Sequence, residues 1–369
     1  MDDNKSISAR NLQTLMTEKK PVYILDVRPA EQREEWFIPG STHIDAYKRL
    51  NSGDFTVLDE LNIPDNAQVV TVCEAGRTSL FAAEALRRKG IQAYSLEGGM
   101  KAWNFAWNTA EVTLADDLKV IQLRRSVKGC LSYLIGSETE AIVIDASLDP
   151  DVYLQWADKN GWKIRYVMDT HIHADFISRT RDLAKASGAI HLLINKAKVD
   201  FAFTPVKDGD LISFGKASLE IMHTPGHTWE STSYKIGDEA LFTGDTLFID
   251  GVGRPDLKAD ENETVQKSKQ LHQSLRHLLL LPSSTWVFPA HTSRAVPFDS
   301  KLIAETIGKL KIKLDLVKLS EREFVEYTLS KIPPTPPNYL TIAELNKQGS
   351  YEGHQPSELE AGANRCAIG

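Results

Sequence analysis

Four short motifs, each rich in histidine or aspartate and each placed directly after a run that reads as a β-strand, constrain this 369-residue chain more than anything else in it. They are Thr170-His171-Ile172-His173-Ala174-Asp175-Phe176, Thr224-Pro225-Gly226-His227-Thr228, Thr243-Gly244-Asp245-Thr246 and Pro289-Ala290-His291. A single loop histidine is most often a solvated or hydrogen-bonded bystander. Four such groups in strand-end positions require a scaffold that gathers the ends of its strands along one edge, where loops carry function on a rigid frame. Neutral imidazoles and carboxylates collected there can hold a first-row divalent metal and leave positions open for substrate.

The rest of this region supports that scaffold. Strands are expected near Val120–Leu123, Leu131–Ile135, Ala141–Ile144, Lys163–Met168, Ser218–His223, Ala240–Thr243 and Thr285–Phe288, with helices over Ser178–Ser187 and Thr264–Leu281. This is the pattern of an αββα sandwich. The short Pro-rich segment Pro333–Pro337 reads as an extended surface connector.

The N-terminal part has a different rhythm. Val22–Asp26, Pro29–Trp36, Val69–Cys73, Thr78–Lys89 and Gln92–Leu96 alternate strand and helix, which implies a parallel sheet. In the helix Thr78–Lys89, Leu80, Ala83 and Leu86 recur at helical spacing, and Gly90 marks its end. The alternation breaks over Trp103–Leu114, so two domains are expected, 1–110 and 111–369. Two cores also suit the length of the chain.

Cys73 closes one of these strands and opens the loop Glu74-Ala75-Gly76-Arg77-Thr78 at the start of a helix. Free backbone N–H groups and the positive end of the helix dipole favour a thiolate there and offer donors to a bound sulfur anion. Gly76 lets the loop curl inward, and Arg77 adds fixed positive charge. The alternative is a structural cysteine at a strand end. Cys130, at the start of a strand, reads as a packing residue, whereas Cys366 suits either a tail position or the substrate entrance.

Composition excludes several classes. A net charge of −7 provides no basic footprint for nucleic acid. The polar stretch Met1–Lys20 and the absence of any apolar run of spanning length predict a cytoplasmic protein with no membrane partner. Three widely spaced cysteines suit free thiols in a reducing compartment.

The N-terminal motifs resemble those of single-domain rhodaneses. Leu25-Asp26-Val27-Arg28, Ile38-Pro39-Gly40, the loop from Cys73 to Thr78, and Glu97-Gly98-Gly99-Met100-Lys101-Ala102-Trp103 occur in the family's order. The resemblance implies an α/β rhodanese-like domain in which Cys73 accepts a sulfane sulfur as a persulfide and passes it to a thiol or to sulfite, with Arg28 and Arg77 near the loop. Glu74 departs from the pattern. Many members carry a basic or neutral residue there, and a carboxylate beside the pocket repels dianionic thiosulfate.

The four later motifs resemble the metallo-β-lactamase superfamily over roughly residues 115–300. Members that hydrolyse esters or thioesters with two metals place a histidine directly after the aspartate of the first motif, where this chain has Phe176. A phenyl ring cannot ligate, so one metal per chain is expected. Gly251-Val252-Gly253-Arg254-Pro255-Asp256, Pro337-Asn338-Tyr339 and Ala361-Gly362-Ala363-Asn364-Arg365-Cys366 are similar to stretches of the persulfide dioxygenases. That resemblance implies one Fe(II) per chain held by His171, His227 and Asp245, with His173 close but not ligating. Asp175, His291, Arg254 and Asp256 would support the ligands; on their own, Arg254 and Asp256 read equally as a surface ion pair.

The activity implied is oxidation of a low-molecular-weight thiol persulfide, glutathione persulfide first among them, by O2 to sulfite and free thiol. Thiosulfate or sulfite would be partners of the rhodanese domain, and a homo-oligomer, dimer or larger, is the expected assembly. Two other readings stand beside this one, a hydroxyacylglutathione thioester hydrolase of the glyoxalase II type and a sulfur carrier or sensor without turnover.

Overall fold

The computed structural model describes residues 5–114 and 118–369. Residues 1–4 of the first expected domain, and 115–117 at the start of the span that resembles the metallo-β-lactamases, lie outside the described residues.

The alternating N-terminal pattern folds as expected into a parallel sheet of five strands, ordered Ser6–Ile7, Ala93–Leu96, Gln68–Val72, Val22–Asp26 and Thr42–His43. Its central strands are buried on both faces, since one face packs against Leu12, Trp36, Met100 and Trp103 and the other against Leu50, Ala82, Ala83 and Leu86. The helix Thr78–Arg88 differs from expectation in one respect: Leu80 is 39% exposed, and small residues, Ala82, Ala83 and Ala85, pack against the sheet with Leu86. Side chains this small let the helix lie close, which keeps its N-terminus against the end of the cysteine strand.

The remainder is a two-sheet sandwich with helices outside, as expected. A seven-stranded mixed sheet runs from Trp107–Thr113 at one edge to Thr204–Val206 at the other, and a six-stranded mixed sheet includes Ala217–His223, Ala240–Gly244 and Trp286–Pro289. The inner faces share one core, in which Tyr133, Ile135, Ile142 and Ile144 meet Ile221, Tyr234, Phe242 and Phe288. Helices Pro150–Lys159 and Thr180–Ser187 cover the first sheet, and Glu261–Leu278, Ile307–Lys313 and Glu321–Ser330 cover the second. Pro333–Pro337 is irregular chain between helices.

Strand Trp107–Thr113 crosses the expected division at 110/111 and pairs along its whole length with Lys119–Arg125, so its residues are part of the second region's sheet. The two regions are in contact. Trp103 faces Phe298 with ring centroids 6.1 Å apart. Fully buried Arg125 pairs with Glu360 at 2.5 Å and donates to the carbonyl of Asn104, whose side chain donates to the carbonyl of Glu360.

The C-terminal segment returns to the sandwich. Ala367–Ile368 pairs antiparallel with Val252–Gly253, which brings Asn364 and Cys366 into the interior. No helix among the described residues is long and apolar enough to cross a membrane.

Candidate metal centre and cysteine loop

Strands Lys163–Met168, Ala217–His223, Ala240–Gly244 and Trp286–Pro289 end on the same edge of the sandwich and deliver the four motifs to one place. The close approach depends on Gly244, whose φ is +54° and where a Cβ would fall 2.6 Å from Thr170 Oγ1. A side chain there would push the first motif away from the third.

His171, His227 and Asp245 converge, with one donor atom of each within 4.8 Å of the others. Asp245 Oδ2 stands 3.8 Å from His171 Nε2 and 3.6 Å from His227 Nε2, and it is buried with no hydrogen-bond partner. An orphaned buried carboxylate oxygen facing two imidazoles is costly unless a cation sits between them.

Both histidines are held by their other nitrogen. His227 Nδ1 donates to the carbonyl of Arg254 at 2.8 Å. The Thr170 hydroxyl gives its proton to Asp145, at 3.0–3.1 Å, so its oxygen accepts from His171 Nδ1 at 2.9 Å. Each Nε2 therefore presents a lone pair to the centre. Burial holds both imidazoles below their ordinary range, aided at His171 by the neighbouring histidines and opposed at His227 by Asp245. Burial alone would raise the Asp245 carboxyl, yet His291 and His227 hold it below its usual range. Two neutral imidazoles and one carboxylate fit a first-row divalent metal and leave it open positions.

The remaining expected residues take other positions. His173 Nε2 is 3.0 Å from Asp145, and its ring lies against Phe176, 4.2 Å between centroids. His291 sits between two carboxylates, with Nδ1 2.5 Å from Asp245 Oδ1 and Nε2 2.9 Å from Asp175 Oδ2. Burial opposes its charge, but the two carboxylates win and raise it well above the usual histidine range. Asp175 accepts from Asn364 Nδ2 at 2.9 Å. Arg254 and Asp256 form a bidentate pair at 2.7 and 2.8 Å, and Arg254, which is fully buried, also donates to the carbonyls of Pro334 and Arg365. The Arg254 carbonyl is what meets His227; its side chain ties down the C-terminal segments.

A cavity of about 280 Å³ opens beside His227, and Lys196, Lys198, Lys258, Lys267 and Lys347 are in its wall together with Glu230 and Glu263. Burial holds Lys258 and Lys267 below the usual ammonium range. Five ammonium groups against two carboxylates favour an anionic ligand. Isolated lysines in loops have no sequence signature, and none of the five is foreseeable from the motifs. Asp145, which anchors Thr170 and His173, was equally hidden, although its place just past Glu140–Ile144 follows the strand-end rule of the other motifs.

Cys73 is not part of this centre. It lies at the end of Gln68–Val72, 2% exposed, with Sγ 3.3 Å from Ser79 Oγ. Its carbonyl accepts from Met100 N at 2.9 Å and that of Glu74 from Lys101 N at 3.2 Å. The amides of Glu74, Ala75, Gly76 and Arg77 make no backbone hydrogen bond among the described residues. Gly76 has φ +81°, and a Cβ there would press on the backbone of Leu96 and Gly98 at 2.9 Å. Arg77 is exposed, and buried Thr78 donates to Asn51 at 3.3 Å. Arg28, fully buried on Asp26, reaches Glu74 at 3.7 Å. Burial raises the Glu74 carboxyl against the pull of Arg28 and Lys101.

Residues 8–106 match the rhodanese-like domain family, and residues 125–291 match the metallo-beta-lactamase superfamily. A bovine protein described as mitochondrial persulfide dioxygenase ETHE1 is 29% identical over 213 residues, 53% of this chain and 82% of its own length. The hydroxyacylglutathione hydrolase of Methylococcus capsulatus is 33% identical over 152 residues, 40% of this chain and 56% of its own. The crystal structure of ETHE1 from Myxococcus xanthus, 29% identical, superposes with a TM-score of 0.56 and covers 63% of this chain and 99% of that one. Several relatives are matched over less than two thirds of their length, the mouse persulfide dioxygenase over 65%.

Proposed function

From a chain that joins a rhodanese-like domain to a metallo-β-lactamase domain, we propose a persulfide dioxygenase fused to a sulfurtransferase. It converts a low-molecular-weight thiol persulfide, glutathione persulfide first among them, with O2 and water into the free thiol, sulfite and two protons. The observation that carries this reading is the donor set itself: two neutral imidazoles and Asp245, with Phe176 where thioester hydrolases of the fold place a ligating histidine.

One Fe(II), held by His171, His227 and Asp245, would supply the one-electron chemistry that O2 requires. The chain's own groups do the rest. The Arg254 carbonyl and the Thr170–Asp145 pair keep both imidazoles in the ligating tautomer. The lysine-walled cavity beside His227 draws in the anionic carrier and orients its terminal sulfur towards the centre. Phe176 and the buried surroundings keep bulk water from the Asp175 side.

At the other site the Cys73 thiolate attacks a sulfane sulfur. The donor leaves with the electron pair of the broken bond, as sulfite when thiosulfate is the donor, and the Cys73 persulfide then passes its outer sulfur to a nucleophile. Unpaired loop amides receive the persulfide anion. Arg28 draws the Glu74 carboxylate to itself, which lessens its repulsion of an incoming anion. This reading includes the cytoplasm as location, a dimer or larger assembly, and residues 1–110 and 111–369 as the two functional units.

Iron quantitation combined with O2 uptake on glutathione persulfide tests the proposal. About one iron per chain and stoichiometric sulfite are expected. The similarity to hydroxyacylglutathione hydrolases favours thioester hydrolysis as the second reading; consumption of a glutathione thioester with no O2 uptake would establish it instead. Binding of sulfur without repeated turnover would leave only a carrier.

A further inference from the structure

The loop that carries His171 has no ladder or turn of its own to hold it. Residues 171–178 lie between the strand Lys163–Met168 and the helix Thr180–Ser187, and none of their amides or carbonyls meets another backbone group among the described residues. Side chains hold this stretch instead, at five backbone atoms. Glu230 accepts from the amide of Ile172 and Glu360 from that of Ile177, both at 3.1 Å. The other three belong to one residue. Asn346 Nδ2 donates to the carbonyls of His173 and Phe176, each at 2.8 Å, and Asn346 Oδ1 accepts from the amide of Ser178 at 2.9 Å. Both donors and the oxygen of this amide are therefore spent on the loop.

Asn346 stands on a firm base. Its helix, Tyr339–Gln348, lies beyond residues 125–291, the span that matches the superfamily. Ile342 and Leu345 of this helix pack with Ile177 of the loop. On another side, Ala343 and Lys347 line the cavity beside His227, as do Ile172 and Ala174 from the loop, and the Lys347 carbonyl accepts from Asp200 N at 2.9 Å.

We propose that Asn346 is the positioning residue of this loop and so sets how tightly His171, His227 and Asp245 hold a metal. It meets none of the donor atoms and acts through the backbone that bears His171. Irregular backbone with no partners of its own takes its place from the side chains that satisfy it, and a metal set needs its donors placed to within about 0.5 Å. The inference rests on the metal set and not on the reaction with O2.

The test loads full-length protein with Fe(II) under argon and reads iron affinity by chelator competition, beside the visible spectrum of the Co(II)-loaded protein and denaturant unfolding of the metal-free protein. Asn346→Leu removes all three bonds. Asn346→Asp keeps the size and the bond to Ser178 but sets a carboxylate against two carbonyls. Both variants should hold iron more weakly, Asn346→Leu by about 10–100-fold, with a shifted Co(II) spectrum. Gln348→Ala, on the same helix but exposed and bonded only to Glu344, should change neither. A merely structural role would make the metal-free variants easier to unfold while iron affinity and the Co(II) spectrum stayed as in the unaltered protein, and that result would overturn the proposal. An equal loss in Gln348→Ala would do the same. Should Asn346→Leu fail to fold, Asn346→Asp decides the point. Failure of the metal set looks different, since the unaltered protein itself would then hold no iron, and the proposal would fall with it.

Discussion

Replacing Thr170 with valine tests whether the tautomer lock on His171 sets metal affinity. Valine keeps the shape of threonine but removes the hydroxyl that accepts from His171 Nδ1 at 2.9 Å and donates to Asp145 at 3.0–3.1 Å. The backbone is not released, because Thr170 N still donates to Asp145 Oδ1 at 2.7 Å and His173 Nε2 still meets the same oxygen at 3.0 Å. Two effects follow. Asp145 Oδ2 loses its partner in a buried place, which costs about 1–3 kcal/mol of stability. His171 loses the group that selects its ligating tautomer, and losing such a partner lowers metal affinity about 10–100-fold, or about 1.4–2.8 kcal/mol. Chelator competition measures iron affinity, and denaturant unfolding of the metal-free protein measures stability. Iron held as tightly as in the unaltered protein, in a folded variant, would falsify the assignment of Thr170 as the residue that positions His171.

Asp245→Ala should lose both iron and O2 consumption, since it removes the only carboxylate of the set; retained iron, measured by metal analysis, means the set is wrong. Cys73→Ser should abolish sulfur transfer and leave oxidation of supplied glutathione persulfide largely intact, because serine forms no persulfide and the iron set lies wholly in the other region; O2 uptake that collapses in the folded variant would route sulfur through Cys73. Phe176→His adds an imidazole beside Asp175 and His291, so zinc taken up per chain should rise or bind more tightly; uptake unchanged in excess zinc shows that Phe176 is not what limits that side. Glu360→Ala strands the buried Arg125 and the amide of Ile177, and unfolding should be easier by about 3–5 kcal/mol, whereas a loss below about 1 kcal/mol would show that water reaches the pair.

Much of this molecule was legible in its sequence, for a local reason. Strand and helix periodicity depend on neighbouring residues, so the parallel sheet of the first region and the sandwich of the second could be read directly. The donors His171, His227 and Asp245 each follow a strand, and the rule that strand ends share an edge was enough to bring them together. The place of Cys73, between a strand end and a helix start, was legible from local pattern, whereas the sulfur chemistry expected of it came from the resemblance to rhodaneses. The boundary was harder. Trp107–Thr113 pairs with a strand that follows it, and no local pattern states which sheet an edge strand will join.

What holds those donors was decided by the tertiary structure alone. Cys130 read as a packing residue, and it is buried as such, yet its thiol meets a carboxylate 45 positions away. Cys366 suited either a tail or an entrance, and it is instead buried beside Asp245 and His291, because the last strand folds back onto Val252–Gly253. Asn364 reaches Asp175 across 189 positions, and Glu360 reaches Arg125 across 235. The cavity lysines come from loops and helices far apart in the chain. A lone cysteine, asparagine or lysine has no period and no motif. Its role is set by which distant backbone it is packed against, and chain contacts at such separations form only when the whole core closes.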